Sequence, residues 1–194
     1  VDKAASAMTL RDVLRAVLST VSVGSKAFLT NKVDRSVTGL VAAQPCVGPL
    51  HLPVGDVGVT ALSFWGKEGV ASALGECPGV GLAGTKESIS AMVRMAVGEA
   101  LTNLVSAPLK RWADIKLQAN WMWPGREGEA AGQLYEGVEA LREVLLDLGL
   151  ALDGGKDSLS MATDCDDGVR VPCPATVVVT AYAPCADVSR VMTP

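Results

Sequence analysis

Histidine is almost absent from this chain of 194 residues, in which His51 is the only one. A catalytic triad or a metal site built from several histidines of this chain is therefore all but excluded. No basic block appears, and the formal net charge is −4, so nucleic acid and anionic membranes are poor candidates for partners. No apolar run reaches the roughly 18 residues that a membrane-spanning helix needs.

The cysteines also exclude several kinds of site. They are odd in number and widely spaced, with no C-x-x-C pair, at positions Cys46, Cys77, Cys165, Cys173 and Cys185. Neither zinc-ligand spacing nor a redox dithiol is present, and we expect reduced thiols. The first residues show no basic segment followed by an apolar core, so we expect no signal peptide and a cytoplasmic protein.

What the chain does contain is typical of a compact α/β protein. Apolar residues make up 49% of it and aromatic residues only 4%, which favours tight packing around a real core. Thr9, with Asp12 three residues later, predicts a capped helix. Further helices are predicted over 88–104 and 133–148, a turn over 164–168, and strands over 26–30, 37–43, 54–62, 115–121, 158–162 and 176–183.

This order predicts an α/β (α+β) fold, a mixed sheet with helices on one face. The other face of the sheet would then need a cover, either another domain or a second copy of the chain. We divide the chain into a helical lead-in, residues 1–20, and one domain, residues 21–194.

The segment from Asp153 to Met161 places two glycines, Lys156, Asp157 and Ser158 after an apolar helix. Glycines let a backbone approach a phosphate closely, a lysine supplies charge and a serine supplies a hydroxyl group. A helix C-cap at Gly154 and Gly155 followed by a polar turn explains the same residues. The segment alone does not decide between a phosphate-binding loop and a cap.

Three oxygen-bearing side chains form a candidate magnesium set. Asp56 falls inside an apolar, strand-like run, where a carboxylate must be paired, protonated or bound to a metal. Glu99 and Asn103 are four residues apart, so they share a helix face. Oxygen ligands suit Mg²⁺ bridged to nucleotide phosphates. A hydrogen-bonded core aspartate and a solvated helix face are the alternatives, and no spacing brings Asp56 to the helix.

Two further cationic residues have an open interpretation. Lys26, at the start of a predicted strand, either reaches a phosphate or lies on the surface with its stem packed. The turn over 31–36 either is a solvated hairpin tip or binds an anion through Arg35.

Taken together, five strings resemble one known family. They are Lys32–Gly39 (KVDRSVTG), Cys46–Pro49 (CVGP), Gly98–Asn103 (GEALTN), Ala119–Met122 (ANWM) and Gly154–Met161 (GGKDSLSM). In this order they resemble phosphoribosylformylglycinamidine synthase, the large glutamine-dependent enzyme of purine biosynthesis. The resemblance covers the chain from about Lys26 to Pro194.

The resemblance implies an activity and an architecture. The family converts a formylglycinamide ribonucleotide to its amidine with ATP and glutamine-derived ammonia, through a formamide oxygen activated as an iminophosphate. Its ligase part resembles two tandem copies of the aminoimidazole ribonucleotide synthetase fold, whose N-terminal domains pack sheet to sheet. This chain is similar to the N-terminal domain of the second copy, where the nucleotide site resembles an auxiliary site without turnover.

The resemblance also implies roles for individual residues. Lys26 and the backbone of Gly55 would contact ATP or ADP, and the carboxylates and amide of Asp56, Glu99 and Asn103 would hold Mg²⁺. The segment with Lys156 and Ser158 would contact substrate or phosphate.

The implied partners are the first synthetase copy, a C-terminal domain and the glutaminase, whose Cys-His-Glu triad this chain lacks. We expect the isolated chain to be inactive and to form a homodimer. The alternatives are a structural or interaction module and, less in keeping with the residues, a selenophosphate synthetase or thiamine-phosphate kinase.

Overall fold

The computed structural model describes residues 8–30, 39–52 and 55–194. The chain forms two compact units, residues 1–35 and 36–194, and each is described by itself. The expected division between residues 20 and 21 stays a prediction. The turn over 31–36, with Arg35, and the first residues of the predicted strand over 37–43 lie outside the described residues.

The first unit contains helix α1 (Leu10–Leu18) and the short helix α2 (Ala27–Thr30). The predicted capping box is confirmed, because Thr9 and Asp12 each accept a hydrogen bond from the backbone of the other. Hydrogen bonding to Thr9 lowers the pKa of Asp12. The strand predicted over 26–30 is wrong, since residues 27–30 form α2. Five residues are too few for periodicity to separate a strand from a helical turn.

The second unit is built on a sheet, which has six strands among residues 39–52 and 55–194. Their order across the sheet is β1-β2-β3-β8-β4-β5. Neighbours in it run antiparallel apart from β4 and β5, which run parallel. The strands are β1 (Val41–Ala43), β2 (Val57–Ala61), β3 (Gly69–Gly75), β4 (Lys116–Met122), β5 (Ala151–Ser158) and β8 (Thr176–Cys185). The predicted mixed sheet is confirmed.

Two long helices, α4 (Lys86–Leu104) and α5 (Ala130–Leu148), cover one face of this sheet, and the short helix α3 (Pro78–Gly81) precedes them. The predicted apolar face of α4 is confirmed, because its core-facing residues are buried: Ile89, Met92, Val93, Ala96, Val97, Ala100 and Leu104. Alternate residues of β3 and β8 are buried beneath them. The helices therefore lie on one face, as predicted, and the outer face keeps Val70 and Leu74 exposed.

Strand β3 is absent from the sequence-based assignment, which had no element over 69–75. Its sequence, GVASALG, alternates between buried and exposed positions, but four of its seven residues are Gly or Ala, which have low strand propensity. It nonetheless lies between β2 and β8 and pairs with both. Burial of its small side chains under α4, and not propensity, explains why this segment is a strand.

The segment predicted as a phosphate-binding loop, or as a cap at Gly154 and Gly155, is neither. Residues 151–158 form strand β5, and α5 ends instead at Gly149, with φ of 65°. The predicted turn over 164–168 is confirmed, but it joins the strands of a separate hairpin, β6 (Ala162–Asp164) and β7 (Arg170–Pro172). The strand predicted over 158–162 is therefore wrong, because residue 158 ends β5 and residue 162 begins β6. No helix in the described parts of the chain is long and apolar enough to cross a membrane.

Candidate functional site

Helix α4 carries two of the predicted metal ligands near its C-terminal end. Glu99 is exposed and Asn103 half-buried, and both point to the end of β3. The Glu76 backbone N–H donates to Glu99 Oε2 at 2.7 Å. Asn103 Nδ2 donates to the Leu74 carbonyl oxygen at 2.9 Å. Both side chains are thus hydrogen-bonded to the end of β3, although Glu99 stays exposed to solvent.

The third predicted ligand, Asp56, lies immediately before β2, which begins at Val57. Its side chain is exposed, so the expectation of a carboxylate inside an apolar strand is wrong. The apolar run that suggested burial is 54–62, but the strand itself begins one residue after Asp56. Gly55, whose backbone is expected near the nucleotide, precedes it and is half-buried.

One cavity of about 560 Å³ brings these residues together, with Gly55, Asp56, Glu99 and Asn103 all in its lining. Its volume is within the range of ligand pockets, roughly 300–1,000 Å³. The outer face of the sheet forms another part of the lining, through Gly58, Ser72, Leu74 and Val178. The fold thus supplies the proximity between Asp56 and α4 that the sequence spacing left open.

The lining of this cavity is acidic. Three carboxylates belong to it, from Asp56, Glu76 and Glu99, and no lysine, arginine or histidine among the described residues does. Glu76 was missed by the sequence analysis, because it lies in a segment for which no element was predicted. Within the described parts of the chain, no group of three or more His, Cys, Asp or Glu side chains is placed to hold a metal. A cation here would therefore have two carboxylates and the Asn103 amide as its side-chain ligands.

A second cavity, of about 250 Å³, adjoins the first. The two share Gly55, Asp56 and Asn103. The wall of the second cavity includes the last four residues of the chain, 191–194. Asp56 and Asn103 thus line both cavities.

The other two predicted binding residues, Lys156 and Ser158, lie on β5 rather than on a loop. Lys156 Nζ donates to Ser158 Oγ at 2.5 Å. A cavity of about 320 Å³ beside Lys156 is also lined by Gln118, Asn120 and Thr180. The buried Oδ1 atom of Asn120 has no hydrogen-bond partner. The lysine can therefore offer a ligand a positive charge, and the Asn120 oxygen beneath the cavity is an acceptor without a partner.

The cavities at Asp56 and at Lys156 meet the same strand. Val178 lines the first and Thr180 the second, and residues two apart on a strand share one face about 7 Å apart. Tyr182 continues this row of β8, and its hydroxyl group donates to Asp153. That hydrogen bond raises the pKa of Tyr182. The two cavities are consequently neighbours on the outer face of the sheet.

Lys26 belongs to the first unit, at the N-terminal end of α2. Its ammonium group donates to the carbonyl oxygens of Val21 and Gly24, the latter at 2.7 Å. These hydrogen bonds close the turn between α1 and α2. Its predicted contact with a nucleotide stays a prediction.

Comparison with known proteins gives close relatives of this sequence. It is 49% identical to a probable phosphoribosylformylglycinamidine synthase, chloroplastic/mitochondrial, of Arabidopsis thaliana, over 98% of this chain and 13% of that protein. It is 46% identical to the phosphoribosylformylglycinamidine synthase of Dictyostelium discoideum, over 93% of this chain and 13% of the relative. For the Homo sapiens protein of that name the identity is 46%, over 96% of this chain and 14% of that protein. The chain spans about 13% of the length of these relatives.

Solved structures share the fold at low identity. PurLQS from Thermotoga maritima matches with a TM-score of 0.59 and 16% identity, over 88% of this chain and 25% of that chain. T. maritima PurL complexed with FGAR matches with a TM-score of 0.53 and 18% identity, over 84% of this chain and 23% of that chain. The family described as the FGAR-AT PurM_N-like domain matches residues 25–184. With this match over most of its length, the chain belongs to the FGAR-AT PurM_N-like domain family.

Proposed function

We propose that this chain is one domain of an ATP- and glutamine-dependent ligase that converts formylglycinamide ribonucleotide to its amidine in purine biosynthesis. Within that enzyme the domain holds part of a nucleotide and Mg²⁺ site. Relatives named phosphoribosylformylglycinamidine synthase, 46% and 49% identical, support the activity. Solved T. maritima PurL structures complexed with AMPPCP, ADP and FGAR support the ligand classes.

The observation that carries this proposal is the meeting of Asp56, Glu99 and Asn103 at one cavity. Their donor atoms are all oxygen, which suits Mg²⁺. Asn103 uses its amide nitrogen on the Leu74 carbonyl, so its Oδ1 atom is the end left for a cation. The residues therefore fit the ion, with phosphate oxygens and water completing the shell.

The charge of the cavity determines the form in which a nucleotide can enter. Three carboxylates and no basic side chain among the described lining residues would repel free ATP or ADP. Mg²⁺ neutralises phosphate charge when bound, and ATP supplies the phosphoryl group that activates the formamide oxygen. The backbone at Gly55, with no side chain in the way, lets a phosphate approach closely. We therefore expect nucleotide binding to require the cation.

Lys156 and Ser158 act on a different part of the ligand in this proposal. Lys156 offers the charge and Ser158 the hydroxyl group for a phosphate of the substrate or nucleotide. Because their cavity adjoins the acidic one across β8, one ligand set can extend over both. Lys26, in the first unit, is proposed separately as a contact of a nucleotide phosphate.

The remaining parts of the enzyme are proposed as partners. The outer face of the sheet, with Val70 and Leu74 exposed, would be covered by the first synthetase copy. A C-terminal domain would close the nucleotide site, and a glutaminase would supply ammonia, in the cytoplasm. The isolated chain would bind ligand without turnover.

The test is a thermal-shift titration of the chain with Mg-ADP. A ligand at 100 times its Kd adds about 2.7 kcal/mol to the free energy of unfolding. For a chain of this length this raises Tm by roughly 5–10 °C. Asp56→Ala should abolish the shift, and EDTA should abolish it in the unchanged chain. Asp166→Ala, which removes an exposed carboxylate in the β6–β7 turn, is the matched control and should keep it.

The exposed outer face of the sheet favours a second candidate, a structural or interaction module whose auxiliary, non-turnover nucleotide is permanently bound or lost. One measurement, the binding of Mg-ADP, distinguishes the two candidates. Saturable binding of Mg-ADP that depends on Asp56 supports the first candidate. No shift at millimolar nucleotide, with or without Mg²⁺, contradicts it and leaves the module.

A further inference from the structure

The end of β3 approaches α4 more closely than any side chain at that position would allow. Gly75 is buried, and a methyl group on it would lie 2.1 Å from the Ala96 carbonyl oxygen and 2.4 Å from the Ala100 backbone nitrogen. Both distances are far inside van der Waals contact. The backbone of α4 therefore rests directly on the backbone of β3 at Gly75.

Two hydrogen bonds flank this contact, one on each side of Gly75. The residue before it, Leu74, accepts from Asn103 Nδ2, and the residue after it, Glu76, donates its backbone N–H to Glu99. The last residues of β3 and the residue that follows it thus hold two side chains of α4. Both of those side chains belong to the proposed metal site.

The hydrogen bonds also determine which atoms remain for a cation. Asn103 spends its donor end on Leu74, which turns its carbonyl oxygen away from that strand. Glu99 accepts with Oε2, which leaves Oε1 for the ion. Because a glutamate and an asparagine have several rotamers each, fixing them before the ion arrives lowers the entropic cost of binding.

We propose that Gly75 is a positioning residue for the metal ligands, and that the backbone of residues 74–76 orients Glu99 and Asn103. This inference rests on the proposed magnesium site. Any larger residue at position 75 moves α4 away from β3 and breaks both hydrogen bonds together. Groups that orient metal ligands typically contribute about 10–100-fold to metal affinity.

A matched pair of glycine variants separates positioning from general destabilisation. Gly75→Ala is compared with Gly69→Ala at the other end of the same strand. A methyl group at Gly69 would also collide, at 2.5 Å from Val188 Cγ1 and 2.7 Å from the Thr60 carbonyl oxygen. Both variants lose stability, but Gly69 lies about 20 Å along the strand from Gly75. Only Gly75→Ala disturbs the ligands.

Mn²⁺ is the probe, because its paramagnetism reports binding directly, without nucleotide or activity. The chain is titrated with Mn²⁺ at a temperature where circular dichroism shows each variant folded. Gly75→Ala should weaken Mn²⁺ binding about tenfold or more, and Gly69→Ala should stay within about twofold of the unchanged chain. Equal affinities in Gly75→Ala and the unchanged chain would overturn the inference.

Asn103→Asp tests the hydrogen bond even if Gly75→Ala does not fold. An aspartate keeps an oxygen ligand and adds negative charge, which by charge alone strengthens cation binding. It also loses the N–H that Leu74 accepts and faces that carbonyl with a carboxylate. We expect Mn²⁺ binding to weaken roughly threefold or more, whereas tighter binding would refute the positioning role. If the unchanged chain binds no Mn²⁺, the proposed site itself fails, and this inference with it.

Discussion

Trp123 is the largest fully buried side chain among the described residues. Its indole N–H donates to the Ala130 carbonyl oxygen at 2.8 Å, where α5 begins. Trp123→Phe removes this hydrogen bond and leaves a gap, so the free energy of unfolding should fall by roughly 1–3 kcal/mol. Urea denaturation followed by circular dichroism measures it. Trp121→Phe, at a half-buried position, should cost less, and an equal loss in both would contradict this account.

Tyr182 gives the outer face of the sheet a pH dependence. Its hydrogen bond to Asp153 raises the pKa of its hydroxyl group. A raised pKa in the folded state means that the bond contributes fully below the pKa of the unfolded chain, about 10. The contribution is lost as the pH rises through the folded value.

Comparison with Tyr182→Phe tests this pH dependence, because phenylalanine keeps the ring and removes the titrating group. The difference in urea midpoint between the two chains should stay constant from about pH 7 to pH 9 and shrink above about pH 10. Both proteins share the lysine titrations of that range, which cancel in the difference. A difference that grows with pH would contradict the assignment.

At the residue scale, the sequence predicted site residues that share one helix better than site residues that come together from different elements. The spacing of Glu99 and Asn103 places them on one face of a helix, and their contacts with β3 show that they act from the same face. Asp56 reaches the same cavity only because β2 pairs with β3 beneath α4. No local pattern encodes that pairing. Glu76 was missed because it follows β3 directly, and that strand was not predicted.

At the scale of elements, Gly149 and Gly98 should respond in opposite directions to the same substitution. Gly149 ends α5 with φ of 65°, a conformation that costs an alanine about 1 kcal/mol. Gly98 lies exposed inside α4 with open space around it, so an alanine there should add about 0.5–1 kcal/mol of stability. Thermal unfolding of both variants measures the effects. A loss of stability in Gly98→Ala would contradict the open space around Gly98, because it would require the added methyl group to collide with a neighbour.

The elements that the sequence predicted well are those with a long periodic pattern of apolar residues or with a capping box. Helix α4 repeats apolar residues over five turns, and α1 has its capping box. The failures share a different cause. Residues 151–158 carry loop-like composition, ALDGGKDS, yet they pair with β4, and GVASALG pairs with β2 and β8. In both, tertiary pairing overrides local propensity.

At the scale of the second unit, the helices among residues 39–52 and 55–194 cover the sheet on one side only. Its helix side is closed by α4 and α5, while the outer side exposes Val70 and Leu74 between polar residues. The sequence predicted this asymmetry from the order of its elements, but it could not say which strand residues face outward, because that depends on register. Both candidate cavities open on the outer side. A partner that covers this face would therefore also enclose the ligands.

In the isolated chain we expect this outer face to pair with a second copy, since large apolar patches seldom stay exposed. Sedimentation velocity at tens of micromolar should show a dimer. Val70→Lys, on the outer face and away from the acidic cavity, should shift it toward monomer by about tenfold or more in Kd, because two symmetric contacts change at once. Leu146→Lys replaces an exposed leucine on α5 and should leave the dimer intact. A monomer in the unchanged chain, or equal effects of the two variants, would refute the pairing through this face.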